Sequence, residues 1–292
     1  MPTLFLHTGQ HKTGTTSLQK ALADNRAHLE RHGFLYPDTG RLAVCGSWGH
    51  HDLAYALRDR ARGLDLWRAL RKEADAAGLD NVIVSSEELS LLPYAGHQPL
   101  EAYRVIASCF EGWRIRLITY LRPQADKLAS LYNHHVKAIG ETRPIIEFLA
   151  SVSPRLDYNN YLNVAAQGLG HDAIVVRRYT RIHLNGDIVT DLAEVVGLPL
   201  GPAFHRRERL LNPGLTTTGL EAMLDANRRL ADDHTRLARE RDRIIRNHAA
   251  DPFSGANPLG EVERRVIEAI YRQRNKNIAR HFLKLEVELF EA

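Results

Sequence analysis

Short apolar runs recur along the first 180 residues and alternate with longer stretches of helical periodicity. Four runs predict buried parallel strands, at residues 4–6, 82–84, 114–121 and 173–179. Apolar residues at helical spacing between and after them predict helices that start near Leu18, cover 64–77, 99–110 and 156–168, begin at Pro123, and cover 187–198. This alternation predicts a three-layer α/β fold, with a mainly parallel central sheet and helices on both faces.

The pattern becomes helical throughout from Asn212 onward. One predicted helical face carries Leu220, Met223, Leu224, Asn227 and Leu230. A last helix is predicted over 261–289, where residues recur at helical spacing: Val262, Val266, Ile270, Asn277, Ile278 and Phe282. Residues 228–248 are rich in arginine, aspartate and histidine, which is typical of a solvated helix or of a lid that faces a partner. We therefore predict a single domain over 1–292, with an α/β core at 1–200 and a helical C-terminal subdomain at 205–292.

Composition narrows the classes of function. The chain has 292 residues, of which 44% are hydrophobic and 25% charged, and its formal net charge is +4. Its 35 acidic residues are interspersed with the basic ones, so we expect no nucleic-acid-binding face. Cys45 and Cys109 form no metal-binding pattern and no disulfide framework. No apolar run approaches about 20 residues and a strand begins near residue 4, so we expect a cytoplasmic protein without stable membrane insertion.

The candidate chemistry is concentrated near residue 10. Gly9 and Gly14 bracket a short loop between the first strand and the first helix, and Lys12 lies within it. Backbone N–H groups and the helix dipole converge at such a loop, and Lys12 adds a full positive charge. The hydroxyls of Thr15, Thr16 and Ser17, which are residue types that cap helices, add hydrogen bonds. The pattern predicts a site for a phosphate-like anion, although a plain strand–helix turn also uses glycine and threonine.

The two glycines have the spacing of the nucleotide-binding loop G-x-x-x-x-G-K-[ST]. Here Thr15 follows the second glycine, and the lysine has moved into the loop at position 12. A lysine at position 12 would contact a different part of the anion from the part that the lysine of the G-K-[ST] motif contacts. A kinase or NTPase is therefore kept as an alternative, as is a nucleotide-binding protein without catalytic activity.

The segment Lys12-Thr13-Gly14-Thr15-Thr16-Ser17 resembles the 5′-phosphosulfate-binding loop of sulfotransferases that use 3′-phosphoadenosine 5′-phosphosulfate (PAPS). The resemblance implies a P-loop-NTPase-like fold whose core at 1–200 binds the nucleotide, with PAPS as co-substrate and no metal. It implies that His11 and residues 12–17 contact PAPS and that Lys12 is catalytic. Position 17 is serine, whereas the cytosolic members of the family have an aromatic residue there.

A second segment strengthens the resemblance. Arg122 ends the third predicted strand, and Ser130 follows eight positions later on the next helix. This spacing is similar to the 3′-phosphate-binding motif of the same family, which implies that both residues bind PAPS. The chain departs from the motif in having no residue between Arg122 and Pro123. It also lacks the family's C-terminal R-K-G motif, for which Arg272, Arg274 or Lys276 are candidate substitutes.

Two acidic residues follow the second predicted strand, where ligands of parallel sheets bind. Glu87 and Glu88 can serve a helix start, but the resemblance implies that Glu87 is the general base that deprotonates the acceptor. Glu88, His50 and His51 are kept as alternatives. The implied reaction is sulfuryl transfer to a hydroxyl or amine of a small-molecule, glycan or lipid acceptor. The sequence leaves the acceptor and the oligomeric state open.

Overall fold

A computed structural model describes residues 1–41, 48–94, 99–206, 213–251 and 253–291. Its centre is a five-stranded sheet with the strand order β2-β3-β1-β4-β5, and every neighbouring pair is parallel. The strands are β1 (Thr3–His7), β2 (Phe34–Leu35), β3 (Asn81–Ser85), β4 (Arg114–Leu121) and β5 (Ile174–Arg178). The predicted strands are therefore confirmed, and the short β2 extends the sheet beyond them.

Helices follow the strands in alternation, as predicted. The helices of the first part of the chain are α1 (Thr15–Asp24), α2 (Arg26–Arg31), α3 (His51–Ala56), α4 (Arg60–Ala77), α5 (Pro99–Cys109) and α6 (Gln124–His134). The later helices are α7 (Ile145–Val152), α8 (Tyr158–Leu169), α9 (Ile188–Val196), α10 (Thr217–Arg229), α11 (His234–Asn247) and α12 (Glu261–Ile278). A small antiparallel pair joins β6 (Gly214–Leu215) to β7 (Ala249–Ala250).

Helices cover both faces of the central sheet, because successive strand residues point to opposite sides. Leu4 and Leu6 of β1 share a buried cluster with residues of α4, α5 and α8. On the other face, Tyr120 of β4 donates a hydrogen bond to Asp191 of α9, with a distance of 2.8 Å between the two oxygens. The three-layer α/β class is thus confirmed.

Asp191 is the buried polar centre of that second face. The guanidinium of Arg177 donates two hydrogen bonds to its carboxylate, at 2.9 and 2.6 Å, and the backbone N–H of Asn185 donates a third. Burial raises the pKa of Asp191, but the hydrogen bonds from Arg177 and Tyr120 outweigh it and hold the pKa below its ordinary value. The carboxylate therefore stays charged while completely buried.

The chain divides into two compact units that are not contiguous in sequence. The first comprises Met1–Leu121, Tyr158–Arg209 and Arg274–Ala292, and the second comprises Arg122–Asp157 and Leu210–Gln273. The first holds the central sheet, and the second holds α6, α7, α10, α11 and most of α12. The units divide at residues other than the predicted boundary near 200 between the α/β core and the helical subdomain. The assignment of the chain to a single domain stays a prediction.

The second unit has its own apolar core, which includes Leu128, Phe148 and Met223. The side chain of Asn133 supports it by pairing with the backbone of β6, since it donates to the carbonyl of Leu215 and accepts from its N–H. Leu220 and Met223, which were predicted to share one helical face, are both buried.

The last helix is shorter in the structure than the predicted range of 261–289. Helix α12 ends at Ile278, and a π-helical turn follows over Ala279–Leu283. Val262, Val266 and Ile270 share the helical spacing, yet 73%, 52% and 54% of their surfaces are exposed.

Candidate functional site

The loop that carries the sequence motif follows β1, the central strand of the sheet. Strand β3 lies on one side of β1 and β4 on the other, and all three run in the same direction. The strand order therefore reverses at β1, since β3 was added on one side of it and β4 on the other. Such a reversal leaves a crevice at the carboxyl ends of the strands. The segment from Thr8 to Gly14 lies at this end, so the motif occupies the position where open α/β sheets bind ligands.

The loop has two residues in the left-handed backbone conformation, Lys12 with φ 71° and Gly14 with φ 77°. Glycine adopts this conformation readily, whereas a residue with a side chain incurs strain. Thr13 fixes the turn between them, because its hydroxyl donates a hydrogen bond to the carbonyl of Gln10 at 2.6 Å. Left-handed residues other than glycine concentrate at ligand-binding sites. The strain at Lys12 therefore agrees with its predicted role.

Helix α1 begins beside this loop with its positive end uncapped. Its N-cap residue is Gly14, no side chain makes a capping hydrogen bond, and no acidic residue lies in the first turn. Thr15, Thr16 and Ser17, expected as capping types, lie inside the first turn instead. The N–H groups of that turn and the helix dipole therefore provide a site suited to an anion.

A buried histidine lies directly beneath the loop. His7 is fully buried, and its Nδ1 lies 2.8 Å from the hydroxyl oxygen of Ser85 on β3. Its Nε2 has no hydrogen-bond partner among the described residues. A methyl group on Gly9 would lie 2.7 Å from this nitrogen and 2.7 Å from Cγ2 of Thr15, so only glycine fits there. Burial lowers the pKa of His7 from 6.5 to about 3, and the ring is therefore neutral.

The two candidate acidic residues follow β3 and have different partners. Glu87 accepts a hydrogen bond from the side-chain amide of Gln19 on α1, with a distance of 2.8 Å between Nε2 and Oε2. Oε1 of Glu88 lies 3.5 Å from Nε2 of His11 in the loop. Glu87 thus contacts α1 and Glu88 contacts the loop, so both acids lie near the elements that carry the motif.

The neighbouring histidines have separate roles. His50 is fully buried, and its Nε2 donates to the carbonyl of Pro37 at 3.0 Å while its Nδ1 accepts from the N–H of Ser85 at 3.1 Å. Burial lowers its pKa to about 3. With both nitrogens engaged, His50 is unsuited to act as a base. His51 is half-buried, and its Nδ1 lies 2.9 Å from the hydroxyl oxygen of Ser86 and 4.0 Å from Oε2 of Glu87.

Arg122 and Ser130 belong to the second compact unit. Arg122 directly follows β4, is 7% exposed, and places its guanidinium carbon 5.8 Å from the ring centre of Phe253. Ser130 lies half-buried on α6. Their predicted role at the 3′-phosphate stays a prediction.

Sequence reasoning missed His7 and Gln19. His7 ends an apolar strand and Gln19 lies between apolar helix residues, so neither belongs to a recognisable motif. Their importance comes from contacts to Ser85 and Glu87, more than 65 residues away along the chain.

Three further expectations concern absences. Among the described residues, no group of three or more histidine, cysteine, aspartate or glutamate residues is arranged to hold a metal ion. No helix in the described ranges is both long and apolar enough to cross a membrane. Cys109 is a half-buried free thiol, and Cys45 lies outside the described residues.

No family profile and no well-characterised protein matches the sequence. Among solved structures, the chain is similar to the crystal structure of a sulfotransferase from Alicyclobacillus acidocaldarius, with 18% sequence identity and a TM-score of 0.42. The match covers 86% of this chain and 97% of that one.

Proposed function

We propose that the protein is a PAPS-dependent sulfotransferase. The observation that carries this proposal is the loop from Gly9 to Gly14, which joins the central strand to an uncapped helix and holds Lys12 in a strained left-handed conformation. A loop of this kind suits the 5′-phosphosulfate, whose oxygens would accept hydrogen bonds from the N–H groups of the first turn of α1. Thr15, Thr16 and Ser17 would add hydroxyl donors, and His11 and Thr13 complete the predicted contacts.

The reaction would be an in-line displacement at sulfur. The acceptor oxygen or nitrogen forms a bond to sulfur while the bond from sulfur to the 5′-phosphate oxygen breaks, and 3′-phosphoadenosine 5′-phosphate (PAP) leaves. Lys12 would stabilise the negative charge that develops on the departing oxygen. Glu87 would take the proton of the acceptor. The transferred group carries less negative charge than a γ-phosphate, so the proposed mechanism needs no metal.

The sequence also predicts Arg122 and Ser130 as ligands of the 3′-phosphate. An arginine forms paired hydrogen bonds with phosphate oxygens, and a serine hydroxyl adds a single donor. Affinity for PAP and for adenosine 5′-phosphate, which lacks the 3′-phosphate, tests this role. We expect the wild type to prefer PAP and Arg122→Ala to lose most of that preference.

The proposal is tested with ³⁵S-labelled PAPS and acceptors from four classes: 4-nitrophenol, N-acetylglucosamine, octyl glucoside and a tyrosine peptide. We expect label transfer to at least one class, and a loss of about 100-fold or more in Lys12→Ala. Lys20→Ala is the matched control, because Lys20 lies on α1, outside the loop, and pairs with Asp24. Full transfer by Lys12→Ala would refute the assignment.

The same preparations separate the alternatives. Turnover of ATP that requires Mg²⁺, without label transfer from PAPS, would identify a kinase or NTPase. Tight binding of PAP by calorimetry, without transfer to any acceptor class, would identify a binding protein that lacks the chemistry.

A further inference from the structure

We infer that Gln19 is a positioning residue for the general base: its amide holds one oxygen of Glu87 so that the other is presented to the acceptor. This inference rests on the proposed function. The contact is the hydrogen bond from Nε2 of Gln19 to Oε2 of Glu87, at 2.8 Å. Gln19 is only 3% exposed and lies on α1 between the buried Leu18 and Leu22. Burial of an amide is unfavourable unless it forms hydrogen bonds, so an apolar residue would suit a purely structural position better.

The chain also restricts the orientation of that amide. Gly49 packs against it so closely that a methyl group on Gly49 would lie 2.7 Å from Cδ and Nε2 of Gln19. Only the amide nitrogen can donate a hydrogen bond to a carboxylate, so the contact with Glu87 fixes which end of the amide points to the acid. Gln19 is therefore held both by packing and by hydrogen bonding.

The two oxygens of Glu87 consequently differ. Oε2 accepts from Gln19 and lies 4.0 Å from Nδ1 of His51, which is itself 2.9 Å from the hydroxyl of Ser86. Within the described ranges, no hydrogen bond reaches Oε1. Oε1 is thus the oxygen that would receive the proton of the acceptor.

Helix α1 connects the Gln19–Glu87 pair to the loop from Gly9 to Gly14. Its first residue, Thr15, adjoins the loop, and Gln19 follows four residues later, which is about 6 Å along the helix axis. One rigid element therefore sets the position of the carboxylate relative to the leaving group. Catalysis depends steeply on such positioning, since a displacement of about 1 Å can reduce the rate about 100-fold.

The kinetic test is a double-mutant cycle with the best acceptor of the panel. Gln19→Met keeps the length of the side chain and removes the donor. We expect it to lower kcat by about 10- to 100-fold while the Kd for PAP stays unchanged. In the Glu87→Gln background, Gln19→Met should have no further effect, because the carboxylate to be positioned is already absent. Equal losses in both backgrounds would overturn the inference and indicate a packing role.

A second readout does not depend on transfer activity. The side-chain amide signals of Gln19 are followed by ¹H–¹⁵N NMR in Glu87→Gln and in the matched control Glu88→Gln. We expect the first variant to shift them and the second to leave them in place. Signals that respond only to Glu88→Gln would overturn the inference even if the protein transfers sulfate. A response to Glu87→Gln without any transfer would keep the pairing of Gln19 with Glu87 and refute the proposed function instead.

Discussion

Acidification should destabilise the first compact unit well before its carboxylates titrate. His7 and His50 are fully buried, and burial lowers the pKa of each ring from 6.5 to about 3. The folded state therefore binds fewer protons than the unfolded state between these values, and its stability falls as the pH drops below 6.5. His50 adds a structural reason, because its Nδ1 accepts a hydrogen bond from Ser85 and loses that role on protonation.

The expected magnitude follows from linkage. At pH 5, an unfolded-state pKa of 6.5 and a folded-state pKa near 3 reduce the free energy of unfolding by about 2 kcal/mol for each histidine, relative to pH 8. The two together contribute about 4 kcal/mol. Unfolded aspartate and glutamate titrate near pH 4, so they contribute little in this interval.

The assay is urea unfolding at pH 8, 6 and 5, followed by tryptophan fluorescence. Trp48, Trp67 and Trp113 all belong to the first unit, so the signal reports on the part of the chain that holds both histidines. His50→Gln, which cannot become charged, should show about half of the wild-type pH dependence. His171→Gln, at an exposed position, is the control and should keep all of it. A wild-type change below about 1 kcal/mol between pH 8 and pH 5 would refute the reasoning.

Three further predictions concern single positions. Gly9→Ala should weaken PAP binding at least tenfold by calorimetry, because the new methyl group clashes with the loop, whereas Gly201→Ala faces open space and should bind normally. Lys12→Gly should relieve about 1 kcal/mol of left-handed strain and raise Tm while transfer of label is lost; a lower Tm would contradict this. Asp191→Asn should lower the free energy of unfolding by about 2–3 kcal/mol, because the buried carboxylate that accepts hydrogen bonds from Arg177 and Tyr120 loses its charge. In the same urea titration, Asp75→Asn should cost less than about 1 kcal/mol, because the Asp75 carboxylate is itself exposed to solvent.

The sheet could be predicted because each strand is a short apolar run whose pattern differs from that of a helix. The candidate loop could be recognised for a similar reason, since its glycines, lysine and hydroxyls are contiguous in sequence. In contrast, His7 acquires its place from strand register, which pairs it with Ser85. No local pattern contains that register, so the buried pair of side chains becomes visible only in the fold.

Helix α12 shows why periodicity alone is insufficient. Val262, Val266 and Ile270 recur every four residues, yet they are exposed, and the core of the second unit contains Ile267 and Tyr271 instead. The helix carries two apolar stripes, and a periodic pattern does not reveal which of them the tertiary structure covers. The non-contiguous units escaped prediction for the same reason, because their cores join segments that are distant in sequence.

Because the first unit is discontinuous in sequence, it cannot finish folding early during synthesis on the ribosome. Its apolar core includes Ile278, Ala279 and Leu289, which are synthesised after the whole of the second unit. The core of the first unit is therefore complete only after residues 274–292 have been synthesised. The second unit is fully synthesised by residue 273 and can fold first. Until the core of the first unit is complete, the sheet exposes apolar surface that the folded unit covers, and such surface favours aggregation.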